Sequence, residues 1–470
     1  MPTSPSATFA RLTTGVPPTD PVVHFDRAVV LGGSVAGLLA ARVLADHART
    51  VVVLEKDDAV AADPVGPRPG VPQGAQTHIL LPAGLVQVER WFPGFAQEAV
   101  LAGAVRSRFV NYLDGVPQAP DPIPVLASTR PLHEALIRRR LLALPNVQLV
   151  TGRATGLRFQ GSAVHRVSAL IDGENILLDA DFVVDAMGRS SRLSHWLEED
   201  GWDAPELERV PTDIRYATAF FERADIEPRF GLVSVHNRHR FDGPAMGLLN
   251  AVEGGRWMMA VAGYDDDLDG SEADFRSRVK HLPPVFEEAA RGRLIGEIRT
   301  YRQADSRRRK FTGLERFPTG LVAVGDAVAS YNPIFGQGVA SAALQASALS
   351  EFLHRPADPK ASSAEFFARQ QVVVDVAWPI STAGDRARQK AAERAATGAV
   401  SGRKPLAVRF TRWALGQIHR AAAVDETVVA RRNAVVFMTV HPRQLVSPGL
   451  LARAIAVNRR RRRPLPDPLA

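Results

Sequence analysis

An α/β fold is predicted by this sequence: a Rossmann-like domain on a parallel sheet, an antiparallel β-sheet domain inserted into it, and C-terminal helices. Three stretches carry the prediction. Val29 to Glu55 reads as an apolar strand, a glycine turn (Gly32-Gly33-Ser34-Val35-Ala36-Gly37), an Ala/Leu-rich helix to Ala45, and a second apolar strand ending in an acid. Leu321 to Ser350 reads as a strand ending in Gly325-Asp326, then a glycine-containing turn and a helix of small residues. Between them, Ile214 to Ala262 holds candidate strands and turns with no long intervening helix, the signature of an antiparallel sheet of different architecture.

The first stretch suits a unit that lays a dinucleotide pyrophosphate on a helix N-terminus. Gly32 allows the tight turn, and Gly37 lets the helix pack close to the sheet. Glu55 stands where a carboxylate takes the two ribose hydroxyls of an adenosine. Ser34 replaces the second glycine of the G-x-G-x-x-G pattern, so the specificity comes from the setting between two buried-type strands.

The 470 residues leave room for two or three domains. No apolar run reaches the ~20 uncharged residues that span a bilayer. Met1 to Asp20, rich in Pro, Ser and Thr, lacks the apolar core of a secretory signal and reads as a disordered lead-in to a cytoplasmic protein. There is no cysteine, which excludes disulfides, thiolate zinc sites and cysteine-ligated iron–sulfur clusters. The formal charge of +8 is mostly arginine, and Arg459 to Arg463 form a basic block beside Pro464, Pro466 and Pro468. With no aromatic residue interleaved, that block reads as a solvated tail rather than a nucleic-acid-binding one.

After Glu55 a Pro/Gly-rich loop offers Arg68 among small residues, then Val71-Pro72-Gln73-Gly74 and His78. His78 has no His or acid at metal spacing, so a structural role fits it. Ala127 to Leu141 opens a helix with Thr129, Arg130 and Pro131 as its start signal. Val147 to Val150 and Phe182 to Asp185 read as strands, the latter running into Ala186-Met187-Gly188-Arg189. Glu253-Gly254-Gly255 closes a hairpin. Tyr216, Phe220, Trp257 and Met259 lie on the proposed sheet and are candidates for lining a cavity. A carboxylate at Asp326 sits at the sheet edge where open α/β sheets bind ligands. Gly336 and Gly338 flank Gln337 and free backbone N–H groups to approach a ring, with the helix dipole behind them. Ala364 to Trp378 and Pro405 to Met438 read as helices.

Taken together, these segments resemble the class A FAD-dependent flavoprotein monooxygenases, the aromatic-hydroxylase fold, over roughly Val29 to Leu353. Short words such as Val71 to Gly74, Asn332 to Gly336 and Asp375-x-x-Trp378 look most like bacterial biosynthetic members, among them the polyether polyene epoxidases. The resemblance implies that Gly32 to Gly37 with Glu55 and the adjoining Lys56 hold the adenosine and pyrophosphate of FAD. It implies that Arg68 and Val71 reach the pyrophosphate and pass the flavin, and that Arg130 contacts phosphate and ribityl. Ala154 falls where a backbone group meets adenine. Asp185 to Arg189, with Gly188, is similar to the family's middle motif, with Met187 in place of threonine. Gly325, Asp326, Pro333, Gly336, Gln337, Gly338 and Val339 match the motif that holds ribityl and flavin.

The resemblance further implies an enzyme in which reduced FAD and O2 form a C4a-hydroperoxide whose distal oxygen goes to a small hydrophobic substrate, by epoxidation or hydroxylation. No side chain need be a nucleophile, and none is assigned. No second nucleotide fold is present, so NAD(P)H docks transiently or a flavin reductase supplies the electrons. Neither nucleic acid nor a membrane span is expected. A flavin-dependent halogenase shares the fold, but the Trp-x-Trp-x-Ile-Pro word and the lysine near the first glycine turn are missing. An isoprenoid reductase also shares it and would consume no oxygen. An arginine-rich nucleic-acid binder, the reading from another class, would be colourless. The expected organisation is a lead-in (1–24), an FAD-binding domain (25–80, 126–200, 296–355), a substrate domain (81–125, 201–295), C-terminal helices (356–456) and a basic tail (457–470).

Overall fold

The structure, a computed structural model, describes residues 4–58, 66–119, 121, 123–224, 230–237, 244–264, 268–354, 362–397 and 405–460. The expected parallel sheet has five strands in the order Leu321–Ala323, Phe182–Asp185, Phe25–Leu31, Ala48–Glu55, Val147–Thr151. Its strands read as continuous apolar runs because both faces are covered; Val29, Val30, Val183 and Val322 are all fully buried. From Phe25–Leu31 the chain builds outward to one side, then returns to the other at Phe182–Asp185. The strand order therefore reverses at Phe25–Leu31, where the first glycine turn leaves the sheet, while the second leaves from the edge strand Leu321–Ala323.

The second sheet has eight strands, mostly antiparallel, in the order Ala329–Ser330, Leu294–Lys310, Glu206–Glu222, Arg256–Tyr264, Met246–Val252, Leu232–His236, Phe109–Leu113, Val116–Pro117. Its hairpin at Glu253-Gly254-Gly255 turns on two glycines at φ +72° and +63°, a left-handed conformation that suits glycine. One face looks toward the parallel-sheet domain. The other packs Phe221, Trp257 and Met259 against Phe275, Val279 and Phe286 from the helices Glu272–Val279 and Pro284–Ala290.

Four expectations are corrected. The lead-in is not disordered throughout: Pro5–Thr14 is a helix capped by Ser4, with Phe9 and Leu12 buried in the main core and Arg11 paired to Glu351. Two apolar residues on one turn spacing were enough to dock it, a signal hidden by the surrounding Ser/Thr/Pro. The segment 81–125 is divided between domains. Its helix Pro82–Trp91 packs on the cofactor-side helix Gln337–Leu353, with the Cβ position of Gly84 3.4 Å from Ala340 Cα, while Phe109–Leu113 joins the second sheet. Residues 296–310, placed with the FAD-binding domain by the sequence, belong to the second sheet as part of the long strand Leu294–Lys310. A three-stranded meander, Arg153–Gln160, Ala163–Ile171 and Glu174–Asp179, stands where only single strands were expected.

The C-terminal helices are Ala364–Thr397, Leu406–Ala421, Glu426–Val436 and Pro448–Arg459. The first anchors on the parallel sheet through Gln370 Nε2, which donates to the carbonyl of Ala323. Among the described residues no helix is long and apolar enough to cross a membrane. Of the basic block, Arg459 and Arg460 are exposed at the end of the last helix, and 461–463 lie outside the described residues.

Candidate active site

The first glycine turn is held by backbone contacts that admit no side chain. A Cβ on Gly32 (φ +109°) would lie 2.5 Å from the carbonyl oxygen of Ala186, and one on Gly37 would lie 1.8 Å from that of Gly32. Glu55, at the end of the neighbouring strand, accepts from Gly33 N–H at 2.6 Å and Asp57 N–H at 3.0 Å. Ser34 sits at the N-cap of the helix Val35–Ala45 without capping it. Its Oγ instead donates to Glu134 Oε2 (2.7 Å) and accepts from Arg130 (3.1 Å). Val35 and Ala36 begin a helix whose first N–H groups therefore keep no side-chain acceptor.

The second turn meets the first. Gly325 (φ +64°) packs so closely that a Cβ there would fall 2.5 Å from Ala36 Cβ. Asp326 follows, half-buried. Burial pushes its carboxyl above the usual carboxylate range, while Arg130, Arg189 and a hydrogen bond with Ser330 pull it back. The Gly325 N–H is fixed by Gln345 Oε1 at 2.8 Å. Pro333–Phe335 forms a single turn, and Gly336 (φ +64°) starts the helix Gln337–Leu353, again with no side-chain cap. Gly338 faces open space, with nothing within 4 Å of its Cβ position, as does Gly188. Val339 and Gln337 are buried, and Gln337 Nε2 ties this turn to the carbonyl of Val436.

Arg68 departs from the simple expectation that it serves a phosphate. It is 8% exposed and lies among three carboxylates: Glu55 at 3.2 Å, Asp57 at 2.8 Å and Glu134 at 2.8 Å. It also donates to the carbonyl of Gly33 at 3.1 Å, so it braces the first turn directly. Glu134, missed in the sequence, is further paired to Arg138. Val71 is buried ahead of the turn Pro72–Ala75, and Lys56 is exposed just beyond Glu55. Ala154 opens the meander next to Gly152, whose N–H bonds the carbonyl of Glu55.

Arg130 lies between the two turns. Besides its bond to Ser34 it acts electrostatically on Asp326, His78 and Tyr216, and its Nε is buried with no hydrogen-bond partner. Its position comes from the hairpin: Glu253 accepts from the N–H of Thr129 at 3.1 Å and from the Thr129 hydroxyl, and so holds the residue that caps the helix Arg130 begins. Nothing local marks Glu253 for this, because its partner is 124 residues away.

The second sheet presents one face to these elements, and it splits the four candidate lining residues. Tyr216 pairs with Ala262, whereas Ala219 pairs with Met259 and Phe221 with Trp257. Cross-strand partners share a face and neighbours alternate, so Tyr216 and Phe220 are on one face and Trp257 and Met259 on the other, in the helix-covered core. The expectation that Trp257 and Met259 line the cavity is corrected; only the register decides parity, and register is a property of the folded sheet. On the cofactor-side face Thr218 donates to Gln76 Oε1 at 2.6 Å, and Asn250 Nδ2 donates to the carbonyl of His78 at 2.8 Å. These two bonds pin the loop that carries His78 against the sheet.

His78 stacks edge-on to His133, ring centroids 5.7 Å apart. Burial, His133 and Arg130 hold the His78 imidazole well below its usual pKa, so it is neutral at pH 7. His133 is bonded to the Ser128 hydroxyl and pushed by burial from 6.5 to about 4. Below pH 6.5 the unfolded chain takes up a proton that folded His133 refuses. Stability is then expected to fall by about 1.4 kcal/mol per pH unit from this group, down to its folded value. Denaturant titrations of wild type and His133→Asn between pH 6.5 and 4 check this, since the variant should lose that part of the slope.

A buried polar network missed in the sequence backs the turn at Asn332 to Gly336. Asn332 Nδ2 reaches Asp385 Oδ2 at 3.1 Å, Thr212 Oγ1 donates to the same oxygen at 2.9 Å, and Arg388 donates to Asp385 Oδ1 at 3.0 Å. Asp385 is 1% exposed on the helix Ala364–Thr397, so this helix fixes the Asn332-Pro333 corner.

These residues fit FAD. The helix Val35–Ala45 starts uncapped where the two glycine turns touch, the helix Gln337–Leu353 also starts uncapped, two glycines open onto free space, and a buried guanidinium nitrogen lacks an acceptor. All suit an extended ligand with anionic phosphates at its centre. Among the described residues no group of three or more His, Asp or Glu could hold a metal ion.

No protein-family model matches the chain. Protein Rv3254 of Mycobacterium tuberculosis (strain ATCC 25618 / H37Rv) is 34% identical over 360 residues, covering 68% of this chain and 71% of its own. Two solved structures share the fold at low identity. The p-nitrophenol 4-monooxygenase PnpA from Pseudomonas putida DLL-E4 aligns over 89% of this chain and 99% of that one, at 18% identity and a TM-score of 0.61. The flavin-dependent brominase Bmp2 aligns over 93% and 100%, at 15% identity and a TM-score of 0.57.

Proposed function

The chain belongs to the same family as Protein Rv3254 and has the class A flavoprotein monooxygenase fold, and we propose that it is an FAD-dependent monooxygenase. Its reaction inserts one oxygen atom of O2 into a hydrophobic secondary-metabolite substrate, by epoxidation or hydroxylation, with NAD(P)H or a flavin reductase as electron source. The observation that carries this reading is the contact of the two glycine turns at Ala36 and Gly325, with Glu55 bonded to the first turn and Asp326 following Gly325 in the second.

Bound FAD supplies the activation of O2. The chain's own residues do the rest. Glu55 accepts from ribose hydroxyls, Arg130 neutralises phosphate, and Asp326 accepts from the ribityl chain. The N–H groups of the first turn after Gly336 would stabilise negative charge on the ring of a bound flavin. Leu248, Met258, Ala260 and Ala262, all buried on the cofactor-side face, keep water out of the reacting space.

The test begins with the spectrum of the purified chain and of the supernatant after denaturation, where a yellow protein releasing FAD is expected. Asp326→Ala should bind FAD about 10–100-fold more weakly, the loss of one or two charge-assisted hydrogen bonds, and should keep its melting midpoint without FAD. A variant that retains stoichiometric FAD would remove Asp326 from the site. NAD(P)H-dependent oxygen uptake with phenols and with polyenes then separates the two branches.

A further inference from the structure

The C-terminal helix Leu406–Ala421 carries an apolar stripe that the fold leaves uncovered. Leu406, Phe410 and Trp413, spaced four and three residues apart, share one face and are 77%, 58% and 46% exposed. The rings of Phe410 and Trp413 lie 5.6 Å apart. The adjoining face, Ala414, Ile418 and Ala421, packs against Leu450, Ala454 and Val457 of the helix Pro448–Arg459. The stripe is therefore surplus to the core.

Its surroundings are basic. Between Glu393 and Asp425 the sequence has no Asp or Glu, but has Arg394, Arg403, Lys404, Arg409, Arg412 and Arg420. Arg409 and Arg412 are exposed on the helix itself. The last helix runs antiparallel to it, since Arg453 bonds Asp425 while Asn458 bonds Gln417. That direction brings exposed Arg459 and Arg460 toward the Trp413 end of the stripe. The sequence alone separates the terminal arginines from any aromatic residue; the fold runs their helix back along the one that carries two.

We propose that this surface docks the chain on an anionic lipid bilayer, with Leu406, Phe410 and Trp413 entering the headgroup layer and Arg409, Arg412, Arg459 and Arg460 meeting lipid phosphates. An apolar stripe with aromatic residues and flanking arginines is what an interfacial helix requires. A second copy of the chain would bring the same cations together, and the helix Leu406–Ala421 itself has no carboxylate to pair them. A nucleic acid would use the arginines and leave Leu406 and Phe410 without a partner. The inference is independent of the redox reading.

The experiment is co-sedimentation of the full chain with vesicles of phosphatidylcholine alone and of phosphatidylcholine mixed with phosphatidylglycerol. Preferential partition onto the anionic vesicles is expected, with Trp413 fluorescence quenched by brominated lipid. The double variant Phe410→Ser/Trp413→Ser should lose at least about tenfold in partition with its melting midpoint unchanged, because neither side chain supports the core. Equal partition of the double variant, or no binding to anionic vesicles, overturns the proposal. So does a concentration-dependent dimer that the double variant abolishes, or salt-sensitive DNA binding that it leaves intact.

Discussion

Gly37→Ala is expected to lose FAD almost completely and to melt at a lower temperature than wild type. The added Cβ would stand 1.8 Å from the Gly32 carbonyl oxygen, 3.0 Å from its carbonyl carbon and 3.3 Å from Ala186 Cβ. Two of those three atoms are backbone of the first glycine turn, and no flexible side chain is available to give way. Either the helix Val35–Ala45 moves off the sheet or the turn opens, and both displace the N–H groups proposed to meet the phosphates. Overpacking of this kind costs about 1–3 kcal/mol in stability, and the displaced turn should weaken FAD more than tenfold. Gly338→Ala is the matched control: its Cβ would meet nothing within 4 Å, so the cofactor-free melting midpoint should hold. Thermal melts without flavin, and flavin absorbance per chain after gel filtration, read both effects. A Gly37→Ala protein that melts and binds FAD like wild type would refute the close approach.

That clash also explains why this region was legible in the sequence. Gly32, Gly37 and Glu55 sit within one strand–helix–strand unit, where apolar runs, a helix of Ala and Leu, and residues that must be glycine all fall within a few turns of chain. Gly325 and Asp326 were legible for the same reason. What escaped was long-range or depended on parity. Glu253 reads as a hairpin residue, and only the folded chain brings it to Thr129. Glu134 reads as a polar position on the helix of Arg130, and its role comes from Arg68 and Ser34. Asp385 lies in a C-terminal helix with no local mark, yet it fixes Asn332. Trp257 and Met259 were on the expected strand but on its other face, because a shift of one residue in register reverses every side chain. The helix Pro5–Thr14 escaped because docking, not propensity, stabilises so short a segment.

Arg68→Ala separates two roles for one cation. The resemblance gives Arg68 to the pyrophosphate, while the fold sets it among Glu55, Asp57 and Glu134, all within 3.2 Å and all sheltered from solvent. Removing the guanidinium leaves those carboxylates facing one another with only Arg138 still pairing Glu134. A buried pair broken from one side costs about 3–5 kcal/mol, so the FAD-free variant should unfold at markedly lower denaturant. If the loss comes from stranded charge, Arg68→Ala/Glu134→Gln should regain part of it, with a coupling of about 0.5–3 kcal/mol in the double-mutant cycle. FAD affinity should fall in Arg68→Ala for a second reason, since three uncompensated acids then flank an anionic ligand. If instead Arg68 acted only on the pyrophosphate, the FAD-free protein would keep its stability, Glu134→Gln would rescue nothing, and only FAD affinity would fall. Urea titrations of the four proteins of the cycle, with and without FAD, decide between a brace for the first turn and a bare phosphate ligand. The bond from Arg68 to the Gly33 carbonyl places the expected outcome with the brace: the cation neutralises its own acids so that the turn beside them can accept a phosphate.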